Sequence, residues 1–462
     1  MTALEHFWHQ LEQHVQQRPD KIALADEQGS IAYADLSTEV QQRADRLRAL
    51  GCRCVALALN NGRDWLLWDL AILRAGLTCV PIAPFFTAAQ RRHLLHTAGV
   101  DTLIGLPDDG VLMREQGFAS TSLGWQRAPF GVGIPAGTAK ITFTSGTTGT
   151  PKGVCLSAEA MLQVADSLRD ACSSLDPQQH LILLPLAVLL DNLGAYTALL
   201  NGASITVPAD SGLHGSQLDM PRLLQVLNQH QPHSLILVPQ LLQALLQAAD
   251  AGAPLPQSLR FIAVGGGRVA PALLERATQL GLPVFEGYGL SECASVVCLN
   301  RPGYQRAGTV GKPLPHVDIK LADDGEILVR GARALGYLGE PASSDEYWPT
   351  GDLGRLEDGY LSILGRKKNQ FITAYGRNVN PEWVEAELTS HPAIAQVLVY
   401  GEALPTNLAL IVPRSTAFSV DDITQAIARA NSELPDYAQI GAWLTASEPF
   451  SAANGQLTSN GR

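Results

Sequence analysis

Short apolar runs alternate with amphipathic segments through the middle of the chain. The runs lie at 234–239, 260–266 and 282–289, and segments with helical spacing, such as PRLLQVLNQH and PALLERATQLG, come between or after them. Continuous apolar runs are typical of strands buried on both faces, and strand–helix alternation builds largely parallel sheets. The pattern predicts an α/β fold in which helices cover a mostly parallel sheet.

The pattern changes after about Gly325. Shorter strand-like segments, GEILVRG and DGYLSILGRKKNQFITAYG, carry Asp-Gly and Gly-rich turns that favour antiparallel pairing. A helix opened by Pro381, the strands AQVLVYG and LALIVP, and the helix DDITQAIARANSEL follow. Because 462 residues exceed what one core usually organises, we predict a large domain at 1–367 and a small α+β domain at 368–462, linked near Gly365.

Neither end nor middle of the chain has the pattern of a membrane segment. The opening MTALEHFWHQLEQHVQQRPD contains acidic residues and no apolar core, which predicts an amphipathic helix and neither a signal peptide nor an anchor. Pro185, Asp191 and Asn192 interrupt the apolar stretch 181–200 well short of a bilayer span, so a buried strand and a core helix are expected there. We expect a cytoplasmic protein without a transmembrane segment.

Composition and charge narrow the function classes. Hydrophobic residues make up 46% and charged residues 17%, which predicts a compact globular chain. The formal charge is -11 and the longest basic run is Arg366–Lys368, so nucleic acid is not an expected partner. The seven cysteines lack metal-binding or disulfide-framework spacing, which favours reduced thiols.

The densest cluster of glycine and hydroxyl residues lies at 144–153, directly after the apolar run ITF. Glycines let backbone amides face an anion, hydroxyls add donors, and Lys152 adds a positive charge. Pro151 and Gly153 flank Lys152 where a Walker A loop requires Gly and then Ser or Thr, so a P-loop ATPase is disfavoured. A surface turn is the other alternative. The predicted polyphosphate cradle consists of Thr144, Ser145, Gly146, Thr147, Thr148, Gly149 and Lys152.

A second glycine cluster matches a different nucleotide motif. Gly265, Gly267 and Ala270 follow a predicted strand and open a helix, and Glu286 comes about twenty residues later, as in the dinucleotide-binding fingerprint. Alone, this would indicate a dehydrogenase. That fingerprint normally opens the first unit of a nucleotide domain, whereas here it lies past the midpoint and after the threonine-rich loop, which disfavours the dehydrogenase.

The segment TFTSGTTGTPKGV at 142–154 resembles the phosphate-binding signature of the adenylate-forming superfamily, which contains acyl-CoA synthetases, peptide-synthetase adenylation domains and firefly luciferase. The resemblance runs from about residue 20 to the end and implies a large N-terminal domain of layered βα sheets with a small β-barrel-like part, plus a mobile C-terminal domain. Four later motifs occur in the order of that superfamily: YGLSE at 288–292, WPTGD at 348–352, GRKK at 365–368 and GRNVNPE at 376–382.

The resemblance implies a nucleoside site. Tyr288 would stack on adenine, with Gly266, Gly267 and Arg268 along the opposite side, although the superfamily usually has Pro where Arg268 stands. Asp352 would accept hydrogen bonds from the ribose hydroxyls. The implied ATP-binding set also contains Glu286, Gly287, Gly289, Ser291 and Gly376.

The resemblance also implies which residues would hold the magnesium ion and act on the phosphates. Glu292, with Thr144 nearby, would hold Mg²⁺, which prefers oxygen ligands. Lys152 and Thr147 would act on the phosphates, and Arg366 would support ribose or phosphate. These groups would neutralise the triphosphate and align a carboxylate with the α-phosphorus, giving an acyl adenylate and pyrophosphate.

Each of these residues has a simpler interpretation when it is taken singly. Tyr288 could be a core residue, Glu292 a carboxylate at a helix start, and Asp352 a turn residue. Their occurrence together in the superfamily's order favours the nucleotide site.

Similar enzymes rotate the small domain about a hinge after adenylation, and Lys368 occupies the hinge position. The loop 375–378 would line the tunnel for the acceptor thiol, where a side chain at Gly376 would obstruct it. The segment 454–462 aligns with the closing motif of the superfamily and places Arg462 where its catalytic lysine stands. An arginine there keeps the charge but changes the geometry.

The resemblance also bears on substrate and acceptor. Leu189 stands where amino-acid-activating relatives have an aspartate, so an amino acid is disfavoured. The segment 184–191 resembles synthetases for medium or long fatty acids, with Val188 in place of their usual histidine, so a fatty or other apolar acid is expected. The acceptor could be CoA, the phosphopantetheine of an acyl carrier protein, or none, as in β-lactone-forming synthetases. A non-catalytic acyl- or nucleotide-binding relative is the alternative from another class.

Overall fold

A computed structural model of the chain describes residues 1–105, 110–144, 151–214, 217–341, 345–451 and 454–457. The helices are α1 (Ala3–Gln17), α2 (Tyr33–Ala49), α3 (Arg63–Ala75), α4 (Ala88–Thr97), α5 (Gly110–Glu115), α6 (Ala158–Cys172), α7 (Leu189–Leu200), α8 (Met220–His230), α9 (Pro239–Asp250), α10 (Pro271–Gln279), α11 (Pro381–Thr389) and α12 (Val420–Glu433). The strands are β1 (Ile22–Asp26), β2 (Gly29–Ala32), β3 (Cys54–Leu57), β4 (Thr78–Pro81), β5 (Thr102–Ile104), β6 (Ala119–Thr121), β7 (Gly124–Gln126), β8 (Thr138–Thr144), β9 (Lys152–Ser157), β10 (Gln179–Leu181), β11 (Ser204–Thr206), β12 (Leu213–His214), β13 (Gln217–Leu218), β14 (Ser234–Leu237), β15 (Phe261–Val264), β16 (Val284–Tyr288), β17 (Cys298–Leu299), β18 (Lys312–Pro313), β19 (Val317–Leu321), β20 (Glu326–Gly331), β21 (Gly336–Tyr337), β22 (Trp348–Glu357), β23 (Tyr360–Arg366), β24 (Phe371–Ile372), β25 (Asn378–Val379), β26 (Ile394–Tyr400), β27 (Asn407–Pro413) and β28 (Ile440–Thr445).

The first large sheet has the strand order β18-β17-β16-β15-β14-β10-β11-β1-β2. Its strands from β16 to β1 pair in parallel, while β2, β17 and β18 are antiparallel additions at the two edges. The apolar runs at 234–239, 260–266 and 282–289 form β14, β15 and β16, which are neighbours in this sheet. The predicted parallel arrangement of the middle of the chain is confirmed.

The second large sheet has the strand order β21-β9-β8-β4-β3-β5-β7-β6. Strands β8 and β9 pair antiparallel, so that Thr144 lies opposite Lys152. The predicted phosphate loop therefore joins two paired strands. Strand β21 comes from a much later part of the chain and adds antiparallel to β9.

The strands between 317 and 366 pair antiparallel, as predicted, whereas β27 and β28 near the end of the chain pair in parallel. Strands β19, β20, β22 and β23 form a four-stranded sheet in that order, which corresponds to the part expected to be barrel-like. Beyond it, β26, β27 and β28 form a separate three-stranded sheet. Helices α11 and α12 pack on this sheet through buried Val384, Leu388, Ile423 and Ile427. The small C-terminal region therefore has a core of its own.

The link between these two regions is tightly packed. Gly365 has φ +141, and a Cβ there would overlap the side-chain amide of Asn380. Asn380 precedes α11 and accepts a hydrogen bond from the backbone N–H of Trp383 at 3.3 Å, which caps the helix. The end of β23 thus fits against the start of α11. The bounds 1–367 and 368–462 and the hinge at Lys368 stay predictions.

The N-terminal segment and the apolar stretch 181–200 fold as expected. Helix α1 begins with a capping box in which Thr2 and Glu5 exchange hydrogen bonds of 3.1 and 2.8 Å, and it buries Phe7 and Leu11. The stretch 181–200 contains the end of β10 and the buried helix α7. Among the residues that the structure describes, no helix is both long and apolar enough to cross a bilayer.

A buried polar network ties β8 to the helices behind it. Lys140 on β8 is 2% exposed, and its Nζ lies 2.8 Å from Oδ1 of Asp69 on α3, which is 1% exposed. Asn192 Nδ2 and Tyr196 Oη, both on α7, donate to Asp69 Oδ2 at 2.9 and 2.6 Å. A buried carboxylate needs this set of partners, because removal from water is costly. The network fixes the strand that leads into the predicted phosphate loop.

We expect Lys140→Met to lower the free energy of unfolding by ~3–5 kcal/mol, because Asp69 would stay buried without its cation. Urea unfolding followed by circular dichroism measures this loss. The double variant Lys140→Met/Asp69→Asn, which removes both charges, should be more stable than the single variant. A single variant within about 1 kcal/mol of the wild type would contradict the structural role given to this ion pair.

Candidate active site

Three of the predicted site residues meet at the end of β16. Tyr288, the last residue of that strand, donates from its hydroxyl to Asp352 Oδ2 at 2.6 Å. Arg366 Nε lies 2.8 Å from Asp352 Oδ1, because β22 and β23 place the two residues opposite each other. Asp352 is 4% exposed. The structure therefore brings together residues from three separate motifs around one buried carboxylate.

The turn before Asp352 explains why its side chain points to this place. Gly351 has φ +72, in the left-handed region that favours glycine, and its N–H donates to Glu326 Oε1 at 2.9 Å. The hydroxyl of Thr350 donates to the carbonyl of Ile327 at 2.8 Å and accepts the N–H of Asp352 at 3.1 Å. Each residue of the Thr-Gly-Asp motif therefore takes part in a hydrogen bond that shapes this turn.

The protonation of Tyr288 follows from its surroundings. Burial raises the pKa of its phenol above the usual range, and the negative charge of Asp352 raises that pKa further. The hydroxyl therefore stays protonated and remains a hydrogen-bond donor to the carboxylate. Together with Arg366, it holds Asp352 in one orientation.

A second group surrounds Glu292, which lies in a short 3-10 helix, Ser291–Cys293. Its Oε1 accepts a hydrogen bond from the hydroxyl of Tyr337 at 2.7 Å. Lys152 Nζ lies 5.2 Å from the centroid of the Tyr337 ring and 3.2 Å from Glu340 Oε1. The pairing of β21 with β9 places Tyr337 beside both predicted residues. Tyr337 and Glu340 were not predicted from the sequence.

The segment that joins Tyr288 to Glu292 folds back on itself. A Cβ at Gly289 would overlap the carbonyl oxygen of Ser295, and the N–H of Val297 donates to the carbonyl of Tyr288 at 2.8 Å. At Gly287, a Cβ would lie 3.0 Å from the side chain of Leu299. These glycines are therefore required by close packing. Whether Gly287, Gly289 and Ser291 contact ATP stays a prediction.

The predicted glycine wall follows β15, the parallel neighbour of β16. Gly266 and Gly267 are exposed, and Gly266 has φ +79. A Cβ at Gly266 would meet only Val238, at 3.8 Å, and one at Gly267 only Pro239. The wall is thus an open backbone surface at the carboxyl ends of parallel strands, the usual position for ligands in such sheets.

Arg268 and Glu286 both interact with other groups of the protein. Arg268 Nη1 donates to the carbonyl of Ile363 at 3.2 Å, and its guanidinium lies 5.9 Å from the ring centroid of Trp383. Glu286 is buried; burial raises its pKa to about 7, opposed by the charge of Arg268 and the N–H of Val269. Whether Glu286 contacts a nucleotide stays a prediction.

Other predicted residues are placed as follows. Thr144 ends β8 and is half-buried opposite Lys152. Gly376 lies in an exposed turn with φ +72, and a Cβ there would meet no other atom within 4 Å. That a side chain at Gly376 would obstruct a thiol tunnel stays a prediction. The remaining predictions, Ser145, Gly146, Thr147, Thr148, Gly149 and Arg462, lie outside the described residues.

The described residues contain no group of three or more His, Cys, Asp or Glu side chains placed to hold a metal ion. Glu292 is a single carboxylate with one oxygen accepting from Tyr337. A magnesium ion there would need its other oxygen ligands from water and from a phosphate-bearing substrate, as Mg²⁺ commonly does. The donor set fits a metal that enters with a nucleotide.

The segment after β10 is apolar and packed inside the protein. Leu184, Leu186, Ala187 and Leu189 are buried. Asn61 fixes this turn, because its Nδ2 donates to the carbonyl of Leu184 and its Oδ1 accepts the N–H of Leu186, both at 2.9 Å. A rigid apolar turn of this kind suits an apolar ligand better than a charged one.

Asp191 stabilises the same turn by accepting hydrogen bonds from its backbone. Its Oδ2 accepts the N–H groups of Leu183 and Leu184 at 3.1 and 2.7 Å, and its Oδ1 lies 4.0 Å from His180 Nε2. Burial raises the pKa of Asp191 to about 7 and lowers that of His180 to about 4. At neutral pH, Asp191 therefore lies close to its own titration midpoint inside the protein.

Family models and known relatives match almost the whole chain. Residues 11–338 match the model described as AMP-binding enzyme, and residues 368–459 match the model described as AMP-binding enzyme C-terminal domain. A long-chain-fatty-acid–CoA ligase of Mycobacterium bovis is 28% identical over 84% of this chain and 78% of its own length. A 2-succinylbenzoate–CoA ligase of Bacillus subtilis is 28% identical over 85% of this chain and 84% of its own length.

A solved structure shows the same architecture. O-succinylbenzoate coenzyme A synthetase of Bacillus subtilis, in complex with ATP and a magnesium ion, has a TM-score of 0.75 and 25% identity, covering 98% of each chain. The fold predicted from the sequence, a large N-terminal α/β domain followed by a small C-terminal domain, is confirmed.

We expect Asp191→Asn to gain stability relative to the wild type as the pH rises. The folded-state pKa of about 7 lies above the ordinary value of 3.8, so the folded wild type holds the proton more tightly and loses stability between those pH values. The variant cannot ionise at this position and should not show this loss. The resulting difference in the free energy of unfolding should be at most ~4 kcal/mol. Thermal unfolding at pH 4.5, 6 and 8 measures the difference, and a difference that does not change with pH would contradict the assignment.

Proposed function

Because the chain belongs to the AMP-binding enzyme family, we propose that it is an acid–CoA ligase that activates a carboxylic acid with ATP and transfers the acyl group to a thiol. One observation carries the proposal. The Tyr288–Asp352–Arg366 group and the Glu292–Tyr337–Lys152 group each join residues that are distant in sequence, and Tyr288 and Glu292 are only four residues apart.

The first group suits a nucleoside. Tyr288 offers an aromatic ring for adenine, and the open backbone of Gly266 and Gly267 offers a flat opposite wall. Asp352, held in one orientation by Tyr288 and Arg366, would accept hydrogen bonds from the ribose hydroxyls. Arg366, ion-paired with Asp352, stands where it can also donate to ribose or phosphate. Glu286, whose pKa burial raises to about 7, stays a predicted contact of the nucleotide.

The second group suits the phosphates of magnesium–ATP. Lys152 is exposed and follows the loop of glycines and hydroxyls, where its charge can reach a phosphate. Glu292 would contribute one oxygen to the magnesium ion, with Thr144 nearby at the other end of the hairpin. When bound, that ion neutralises charge on the phosphates.

The chemistry needs alignment more than a reactive side chain. An oxygen of the substrate carboxylate forms a bond to the α-phosphorus, and the bond from that phosphorus to the bridging oxygen of pyrophosphate breaks. Lys152, Arg366 and the hydroxyls of the loop stabilise the charge that shifts onto the phosphates. The acceptor thiolate then attacks the acyl carbonyl, AMP leaves, and a thioester remains.

A rotation of the small domain is proposed to prepare the site for the second step, the attack of the thiolate. Lys367 and Lys368 lie exposed in the short turn after β23, where the backbone can change direction. Gln243 Nε2 donates to the carbonyl of Thr389 at 2.6 Å, a contact between the large region and α11 that a rotation would break. Rotation would bring the exposed loop at Gly376 towards the site. The names of the relatives favour CoA as acceptor over a carrier protein.

The substrate is proposed to be an aryl carboxylic acid, with a medium or long fatty acid as the second choice. The turn at 184–189 is apolar and lacks a carboxylate for an α-amine, which fits both. The relatives are named for 2-succinylbenzoate and for long-chain fatty acids. The expectation of a fatty or other apolar acid is therefore kept, with aryl acids placed first. The binding-only alternative is disfavoured, because Lys152, Glu292, Asp352 and Arg366 are all present.

Pyrophosphate exchange with ATP, magnesium and a panel of aryl, fatty and amino acids tests the proposal. We expect exchange with apolar acids and none with amino acids. Lys152→Ala and Glu292→Ala should each lower the exchange rate by about 10²-fold or more, since each removes a charge that acts on the phosphates. Exchange restricted to amino acids, or none with any acid, would contradict the proposed function.

Arg462 should affect adenylation but not thioester formation. We expect Arg462→Ala to slow pyrophosphate exchange at least about tenfold, while formation of the thioester from supplied acyl adenylate and CoA stays near the wild-type rate. Arg462→Lys, which keeps the charge, is the matched variant and should retain exchange. Equal losses in both half-reactions would contradict this role.

A further inference from the structure

The geometry points to Tyr337 as a positioning residue that holds the Glu292 carboxylate in the orientation needed for the magnesium ion of magnesium–ATP. This inference rests on the proposed function, because it assigns a support to the carboxylate that the function requires. Tyr337 belongs to none of the motifs that predicted the site. Its place is known only from the strand pairing of β21.

The contact between the two side chains is short and directional. The hydroxyl of Tyr337 donates to Glu292 Oε1 at 2.7 Å, which leaves the other carboxylate oxygen for a cation. A tyrosine hydroxyl is protonated at neutral pH and therefore donates to the carboxylate. A carboxylate on a short 3-10 turn otherwise rotates freely about its own side-chain bonds. The hydrogen bond selects one rotamer.

The tyrosine itself is held by its strand. Tyr337 pairs with Val154 across β21 and β9, and the N–H of Leu338 donates to the carbonyl of Gly153 at 2.8 Å. Its ring lies 5.6 Å from the ring of Trp348. A rigid donor is needed for positioning, because a mobile one would lose entropy on forming the bond. These contacts provide that rigidity.

The same ring also faces Lys152, whose Nζ lies 5.2 Å from its centroid. One side chain therefore contacts the proposed metal carboxylate with its hydroxyl and the proposed phosphate lysine with its ring face. Groups that orient metal ligands in this way commonly change metal affinity 10- to 100-fold when removed. The two contacts can be separated, since phenylalanine keeps the ring and loses only the hydroxyl.

Isothermal titration calorimetry with ATP and no acid substrate tests this role without turnover. Each protein is titrated once with excess magnesium and once with EDTA. For Tyr337→Phe we expect about a tenfold loss of the affinity gain that magnesium provides, with the affinity in EDTA within about twofold of wild type. Lys152→Ala should instead weaken ATP binding in both conditions, because its charge acts on the phosphates directly.

Tyr304→Phe is the matched control, because Tyr304 is 48% exposed and lies outside the site. It should bind ATP as the wild type does in both conditions. A Tyr337→Phe protein with an unchanged gain from magnesium would overturn the positioning role and leave the proposed function standing. A wild type that gains nothing from magnesium would overturn both, and thermal unfolding of each variant shows that any loss is not a loss of fold.

Discussion

The candidate site depends on the antiparallel pairing of β21 with β9. This short ladder returns the chain from the antiparallel region to the edge of the second large sheet, so that Tyr337 lies beside Val154 and close to Lys152. Through this pairing one side chain, Tyr337, contacts both Glu292 and Lys152. The contacts around Asp352 complete the arrangement from the other side, through the pairing of β22 with β23.

The residues that the sequence could predict are those whose role is local. The runs that form β14, β15 and β16 are mostly apolar, and the Thr-Gly-Asp turn needs Gly351 for its left-handed backbone. The motifs also follow one another in a recognisable order. Their joint occurrence predicted the fold and the grouping around Asp352, although the role of each residue in binding ATP stays a prediction.

The residues that the sequence could not predict depend on long-range pairing. Tyr337 resembles any aromatic residue of a half-buried strand, and only its neighbours across β9 give it a possible function. Arg268 and Glu286 show the converse case. They occupy motif positions, yet Arg268 donates to a carbonyl of β23 and Glu286 is a buried carboxyl with a raised pKa. Local pattern does not reveal burial at these positions, because burial is decided by distant segments.

Strand β21 comprises only Gly336–Tyr337. Its short length affects which part of the molecule opens first on heating. A two-residue edge ladder contributes few hydrogen bonds, so it opens at a much lower free energy than the buried strands of either large sheet. Such local opening would separate Tyr337 from Glu292 while both cores stay folded. Under the proposed role of Tyr337, magnesium would then add less to ATP affinity before any global transition is visible, and the amide protons of this strand would exchange with solvent ahead of those in β8 or β15.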